Sequence, residues 1–151
     1  MRELGYTLKL SLLEGTIQKF LNGKSIGMYK DEADMRSHLA AGLKREGFDV
    51  DEEREVTMAD KSVLRPDIIV YVQDKCIPIE LKYNNTSLGE YEEDEKKCNR
   101  YLKEFIDVYD AYCIFVSNKV HRDYRPDEWA ECDGNSKYHY LKIPFARKRR
   151  A

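Results

Sequence analysis

The spacing of hydrophobic positions changes period several times along the chain, and each change marks an element. Between residues 7 and 21, Leu8, Leu12, Leu13, Ile17, Phe20 and Leu21 recur at helical spacing, with Gly15 weakening the middle and Asn22-Gly23 as a stop. A second helix is predicted from Asp31, a capping residue, through Met35, Leu39 and Leu43 to a stop at Gly47. Its apolar stripe must dock on something flat. From Phe48 the period shortens, and residues 48–50 and 55–58 suggest a strand ahead of the polar break at 59–62. Two apolar runs follow, Ile68-Ile69-Val70-Tyr71-Val72 and Ile77-Pro78-Ile79-Glu80-Leu81-Lys82. Residues 84–87 form a loop, and residues 88–110 are predicted as one long charged helix that packs through Tyr91, Cys98, Tyr101, Leu102, Phe105 and Val108. The continuous run Ala111 to Val116 predicts a fully buried strand. Residues 126–130 suggest a short helix, and residues 138–143 a last strand. This order predicts an α/β fold: a mixed central β-sheet flanked by helices on both faces, because a strand-helix-strand crossover through residues 88–110 lays its two strands parallel.

Charges interrupt the two apolar runs where charge is costly. Asp67 stands at the start of the first, after Arg65-Pro66, while Glu80 and Lys82 sit two apart on the second, so the strand period puts both on one face. Strands this apolar are normally buried, and an ionised group buried without compensation costs several kcal/mol, so a divalent cation is the natural compensation. Whether Asp67 joins the pair depends on the turn. A two-residue turn at Gln73-Asp74 sets Asp67 opposite Glu80; one at Asp74-Lys75 sets Asp67 opposite Lys82 and Ile69 opposite Glu80. Either register gathers the three charges. A three-residue turn would pair Asp67 with Leu81 and split them, unless a bulge restored the face.

Composition narrows the picture less. A chain of 151 residues suits one domain. Its parts are an N-terminal helical extension (1–29), a core (30–118) and a C-terminal loop, short helix, strand and basic tail (119–151). The net charge of −2 does not mark a nucleic-acid binder, so any such surface must be local. Lys96-Lys97, His121-Arg122, Arg125 and Arg147-Lys148-Arg149-Arg150 are the candidates, although a basic tail is more often a solvated end. Cys76, Cys98, Cys113 and Cys132 lack metal-binding spacing and read as free thiols. His38, His121 and His139 have no partner spacing. No signal peptide or membrane-length apolar run is read, so a cytoplasmic protein without membrane contact is expected.

With Pro66-Asp67 followed by Glu80-Leu81-Lys82, each on its own apolar strand, the chain resembles the PD-(D/E)xK nuclease superfamily over residues 30–118. The resemblance implies a restriction-endonuclease-like core and a metal-dependent nuclease. Asp67 and Glu80, with the backbone carbonyl of Leu81, would ligate Mg²⁺, for which Mn²⁺ can substitute; these are hard oxygen donors. Lys82 would orient or help deprotonate the attacking water and offset charge on the phosphate. Family members commonly add an acidic residue on the helix before the sheet, where Glu32 is the first choice and Asp34 the second. Glu32 is also four residues before Arg36, so a surface ion pair is its plainer reading. Many relatives carry a glutamine and a tyrosine four apart on the helix after the second motif strand. Lys97 and Tyr101 stand at that spacing, which keeps the tyrosine and replaces the glutamine.

Nucleic-acid contacts are expected from Arg65, Tyr83, Lys97, Tyr101 and Arg122. Arg65 can equally pair with a carboxylate, and with eleven tyrosines in the chain core packing is the plainer reading for most of them. The expected function is hydrolysis of DNA phosphodiester bonds, as an endonuclease of defence, repair or recombination. A homodimer is plausible, because cutting a duplex needs two sites. The alternative is a catalytically inactive module that binds nucleic acid or a partner protein, its Asp67, Lys82 and Glu80 then forming a buried ion-pair network.

Overall fold

A computed structural model describes residues 2–21, 29–83, 88–117 and 137–143, with side chains placed over 5–21, 29–83 and 92–114. The expected loop 84–87, the helix 126–130, Arg122, Cys132 and the basic tail lie outside the described residues.

The first helix, α1 (Arg2–Leu21), begins earlier than its periodicity predicted. Its buried stripe is Tyr6, Leu10, Leu13, Ile17 and Leu21, while Leu8 and Leu12 are 59% and 60% exposed. The leucines at 8 and 12 share helical spacing with each other, but on the outer side. The stripe of α1 joins one core with Met35, Leu39 and Leu43, so α1 is built into the domain and is more than an extension. Helix α2 (Glu32–Arg45) starts as expected: Asp31 is the N-cap, and its side chain accepts the Asp34 N–H at 2.8 Å. Gly47, at φ +94°, takes the left-handed conformation that ends the helix without a Cβ penalty.

The expected strand over 48–58 is two separate pieces. Strand β1 (Asp49–Glu52) joins the main sheet, Glu53 turns the chain at φ +50°, and β2 (Val56–Thr57) pairs instead with β3 (Val63–Leu64) in a small ribbon. The two motif strands are β4 (Ile68–Val72) and β5 (Lys75–Tyr83). They pair antiparallel from Val72↔Lys75 to Ile68↔Ile79 around a Gln73-Asp74 turn, with Gln73 at φ +56°. This is the first of the two gathering registers, and the next rung of the ladder sets Asp67 opposite Glu80.

Helix α3 (Leu88–Glu104) stops six residues before the expected end at Asp110. Ile106, Asp107, Val108 and Tyr109 are poor helix formers. The segment turns back instead, and the Asp107 carbonyl accepts the Cys76 N–H at 2.9 Å. Strand β6 (Ala111–Ser117) then runs parallel to β5, as the crossover predicted, and β7 (Lys137–Ile143) closes a mixed sheet in the order β1-β4-β5-β6-β7.

Alternation along the strands divides the interior. Ile68, Val70, Val72, Ile77, Ile79, Leu81, Tyr112 and Ile114 face α1 and α2. Cys113 and Ala111 face Cys98, Tyr101 and Leu102 of α3. Helices therefore cover both faces of the sheet, and the chain is a mixed α/β fold. No helix among the described residues is long and apolar enough to cross a membrane.

Candidate metal centre

The face of the sheet under α3 carries the motif residues, because Asp67 alternates with Ile68 and Glu80 with Ile79 and Leu81. The backbone grips Asp67 from two sides. The Leu81 N–H donates to its Oδ2 at 2.6 Å, and its own carbonyl accepts the Glu53 N–H at 3.1 Å. Glu80 is only 3% exposed. Its Oε2 accepts the Tyr101 hydroxyl at 2.8 Å, so α3 holds this carboxyl group from above.

These carboxyl groups are costly to ionise where they stand. Burial, reinforced by the neighbouring Asp67 and Asp94 carboxylates, pushes Glu80 up to about 9. Asp67 is also raised by burial, against the opposing pull of the Leu81 N–H and of Lys82 and Arg36. Glu32 is raised by burial and by Asp67. A group of acids each raised by desolvation, Glu80 and Glu32 also by Asp67, is a place where a cation would be strongly favoured.

Glu32 reaches the sheet. Its Oε1 accepts the N–H of Tyr83 at 3.2 Å, one residue beyond Lys82. Arg36, the partner in the plainer reading, pairs with Glu52 at 3.5 Å and Glu53 at 3.3 Å. Asp34 serves its own helix end: Oδ2 accepts the Lys30 N–H at 2.8 Å, and Oδ1 lies 3.3 Å from His38 Nδ1. Glu32 is thus the acid of α2 that belongs to the centre.

Two expected nucleic-acid contacts, Tyr101 and Tyr83, are placed otherwise. Tyr101 is 1% exposed and stands behind Glu80, which does not fit a contact with nucleic acid. Tyr83 belongs to the opposite face of the sheet, where its hydroxyl meets the Tyr29 backbone N and O at 3.3 Å each and its ring stands edge-on to Tyr29. It anchors the entry to α2, because strand alternation turns it away from Lys82. Lys97 faces inward enough for its Nζ to lie 3.8 Å from Asp94 Oδ1, though its side chain keeps 35% exposure. Arg65 is exposed beside buried Pro66.

Asp94 is the residue that sequence reasoning missed. It lies in the acidic run 90–95, whose plain reading is a solvated helix start, yet it is 1% exposed. Burial pushes its carboxyl up to about 7, opposed by Lys82 and Lys97. The signal was its spacing: 94, 98, 101 and 105 form the i, i+4, i+7, i+11 stripe by which α3 packs on the sheet.

The donors fit a hard cation in kind. Among the described residues no three His, Cys, Asp or Glu side chains converge as a ready ligand set. Two opposed carboxyl groups, Asp67 and Glu80, are the side chains on offer, with backbone oxygen and water to complete the shell. The free thiols lie deeper: Cys98 and Cys113 are fully buried with their Sγ atoms 3.3 Å apart, and Cys76 is half-buried. No protein-family model, no curated protein and no solved structure matches the chain, so the centre is interpreted from its own geometry.

Proposed function

We propose that this chain is a Mg²⁺-dependent nuclease that hydrolyses DNA phosphodiester bonds on a restriction-endonuclease-like core. The observation that carries the reading is the meeting of Asp67 and Glu80 across the β4–β5 hairpin, with Lys82 one strand period beyond Glu80. The order α2-β1-β4-β5-α3-β6 around them supports it, being the helix-strand-strand-strand-helix-strand order of that core.

Asp67 and Glu80 would hold the cation, together with the Leu81 carbonyl, and Mn²⁺ would serve in its place. A cation held by these residues would supply polarisation of the scissile phosphate and a lowered pKa for a bound water. Tyr101, by donating to Glu80 Oε2, would fix the orientation of that carboxyl group as a ligand. Lys82, 26% exposed at its side chain, reaches the surface of the centre, where an ammonium orients a water and offsets phosphate charge. Glu32, which feels the charges of Asp67 and Lys82, would take part through an intervening water. Arg65, which is exposed, would meet the nucleic-acid backbone.

The test is incubation of the purified chain, Lys82→Ala and Asp67→Ala with supercoiled plasmid, linear duplex and single-stranded DNA in Mg²⁺, Mn²⁺ or EDTA. Cutting by the wild type alone, abolished by EDTA, is expected. Equal cutting by the variants would refute the assignment. Salt-dependent binding of DNA without cutting of any substrate would make the chain the binding module of the alternative reading.

A further inference from the structure

We infer that Asp94 is a positioning residue that holds the Lys82 ammonium in place at the centre. The inference rests on the nuclease reading for its catalytic consequence, and on geometry alone for the contact.

Both carboxylate oxygens of Asp94 are sealed from solvent, and neither accepts a hydrogen bond. An aspartate left in that state is strongly destabilising, so what stands near it matters. The Nζ atoms of Lys82 and Lys97 both lie 3.8 Å from the same oxygen, Oδ1. A charge-assisted hydrogen bond spans about 2.8 Å, so a movement of roughly 1 Å by either ammonium completes one. The two lysines approach from different elements. Lys97 comes from the next turn of α3 itself, whereas Lys82 comes from β5, two residues past Glu80.

That difference assigns the function. A lysine has a four-carbon stem with about 2 kcal/mol of rotamer entropy, so the charges around it decide where its ammonium rests, and Lys82 acts on Asp67 and Glu32 as well as on Asp94. Asp94 supplies an aim from α3, with its Oδ1 3.8 Å from the Lys82 Nζ, and draws that ammonium toward the helix. Lys97 partly neutralises Asp94 and so moderates the pull on Lys82.

The test compares Asp94→Asn, Asp94→Glu and Lys97→Met with the wild type. Each is checked for folding by circular dichroism, for kcat and KM on duplex DNA at saturating Mg²⁺, and for Mn²⁺ affinity by electron paramagnetic resonance. The order of the Lys82 terminal methylene is followed by NMR relaxation. In Asp94→Asn, kcat is expected to fall about tenfold or more with KM and Mn²⁺ affinity within about twofold, the pattern of a lost transition-state contact. The Lys82 methylene should become as mobile as that of exposed Lys103. Asp94→Glu should restore part of both, and Lys97→Met should leave Lys82 ordered.

An unchanged Lys82 order in Asp94→Asn would overturn the inference. So would a loss of Mn²⁺ affinity as large as the loss of kcat, which would make Asp94 a ligand. Should Asp94→Asn not fold, the same two readings are taken from Asp94→Ala, which removes the carboxyl group and leaves no buried polar atom in its place. A wild-type chain that cuts nothing defeats the nuclease reading alone, since the NMR measurement still reports whether Asp94 holds Lys82.

Discussion

The hydroxyl of Tyr101 on Glu80 shows how one side chain changes meaning with its surroundings. The same phenol on the surface would be a platform for a base; behind a buried carboxyl group it is a fixed donor. In Tyr101→Phe, Glu80 Oε2 loses that donor at a site with 3% exposure. The expected cost is about 1–3 kcal/mol in urea unfolding, the penalty of an unsatisfied buried acceptor. Mn²⁺ affinity should fall roughly tenfold, as is usual when the partner of a metal ligand is removed. An unchanged affinity would reduce Tyr101 to packing. Tyr83 makes the contrast: one residue beyond Lys82, it lies on the other face and supports Tyr29.

Elements bring these residues within reach of one another, and the start of α2 is the most exposed to a single change. Asp31 caps the helix and Glu32 is the next residue, so the cap positions the acid that accepts the Tyr83 N–H. Asp31→Ala should lower stability by about 1 kcal/mol, measured by thermal or urea unfolding. It should also weaken Mn²⁺ binding in the wild type but add nothing in a Glu32→Gln background, because both changes remove the same placed carboxylate. An additive loss would show that the cap acts on the centre through some other group. The β4–β5 hairpin has the opposite character. Its register sets Ile68 and Val70 opposite Ile79 and Ile77, and a slip of one residue in β5 would turn Glu80 and Lys82 into the apolar core under α1 and α2.

At the scale of the whole molecule, buried acids make stability depend on pH. In the metal-free protein Glu80 is pushed up to about 9 and Asp94 up to about 7. Unfolded, both would titrate near 4. Between about 4 and about 9 the folded chain therefore binds protons that the unfolded chain has released, and stability falls as pH rises. The metal-free melting temperature should drop by roughly 5 °C from pH 6 to pH 8, followed by calorimetry. Saturating Mg²⁺ should raise it, by more at pH 8 than at pH 6, since a bound cation takes over the work of the protons. A metal-free melting temperature that rises from pH 6 to pH 8 would contradict the raised titration of Glu80 and Asp94.

Local patterns in the sequence determined most of the elements and the motif face. A cap at Asp31 with apolar residues every four, a two-residue strand period, and a crossover helix between apolar runs act over neighbouring residues, where sterics and backbone hydrogen bonding decide. The α2 boundaries, the parallel β5–β6 pair and the presence of Glu80 and Lys82 on one face were legible for that reason. Tertiary structure decided whatever depends on a distant partner. It chose the Gln73-Asp74 turn, for which no glycine signalled, and split 48–58 between two sheets. It ended α3 at Glu104 and turned Leu8 and Leu12 outward. It also buried Asp94, since the rotation of α3 about its own axis is set by Cys98, Tyr101 and Leu102 packing on the sheet. The charge of Asp94 is written in the sequence, but its environment is created only when α3 closes over β5.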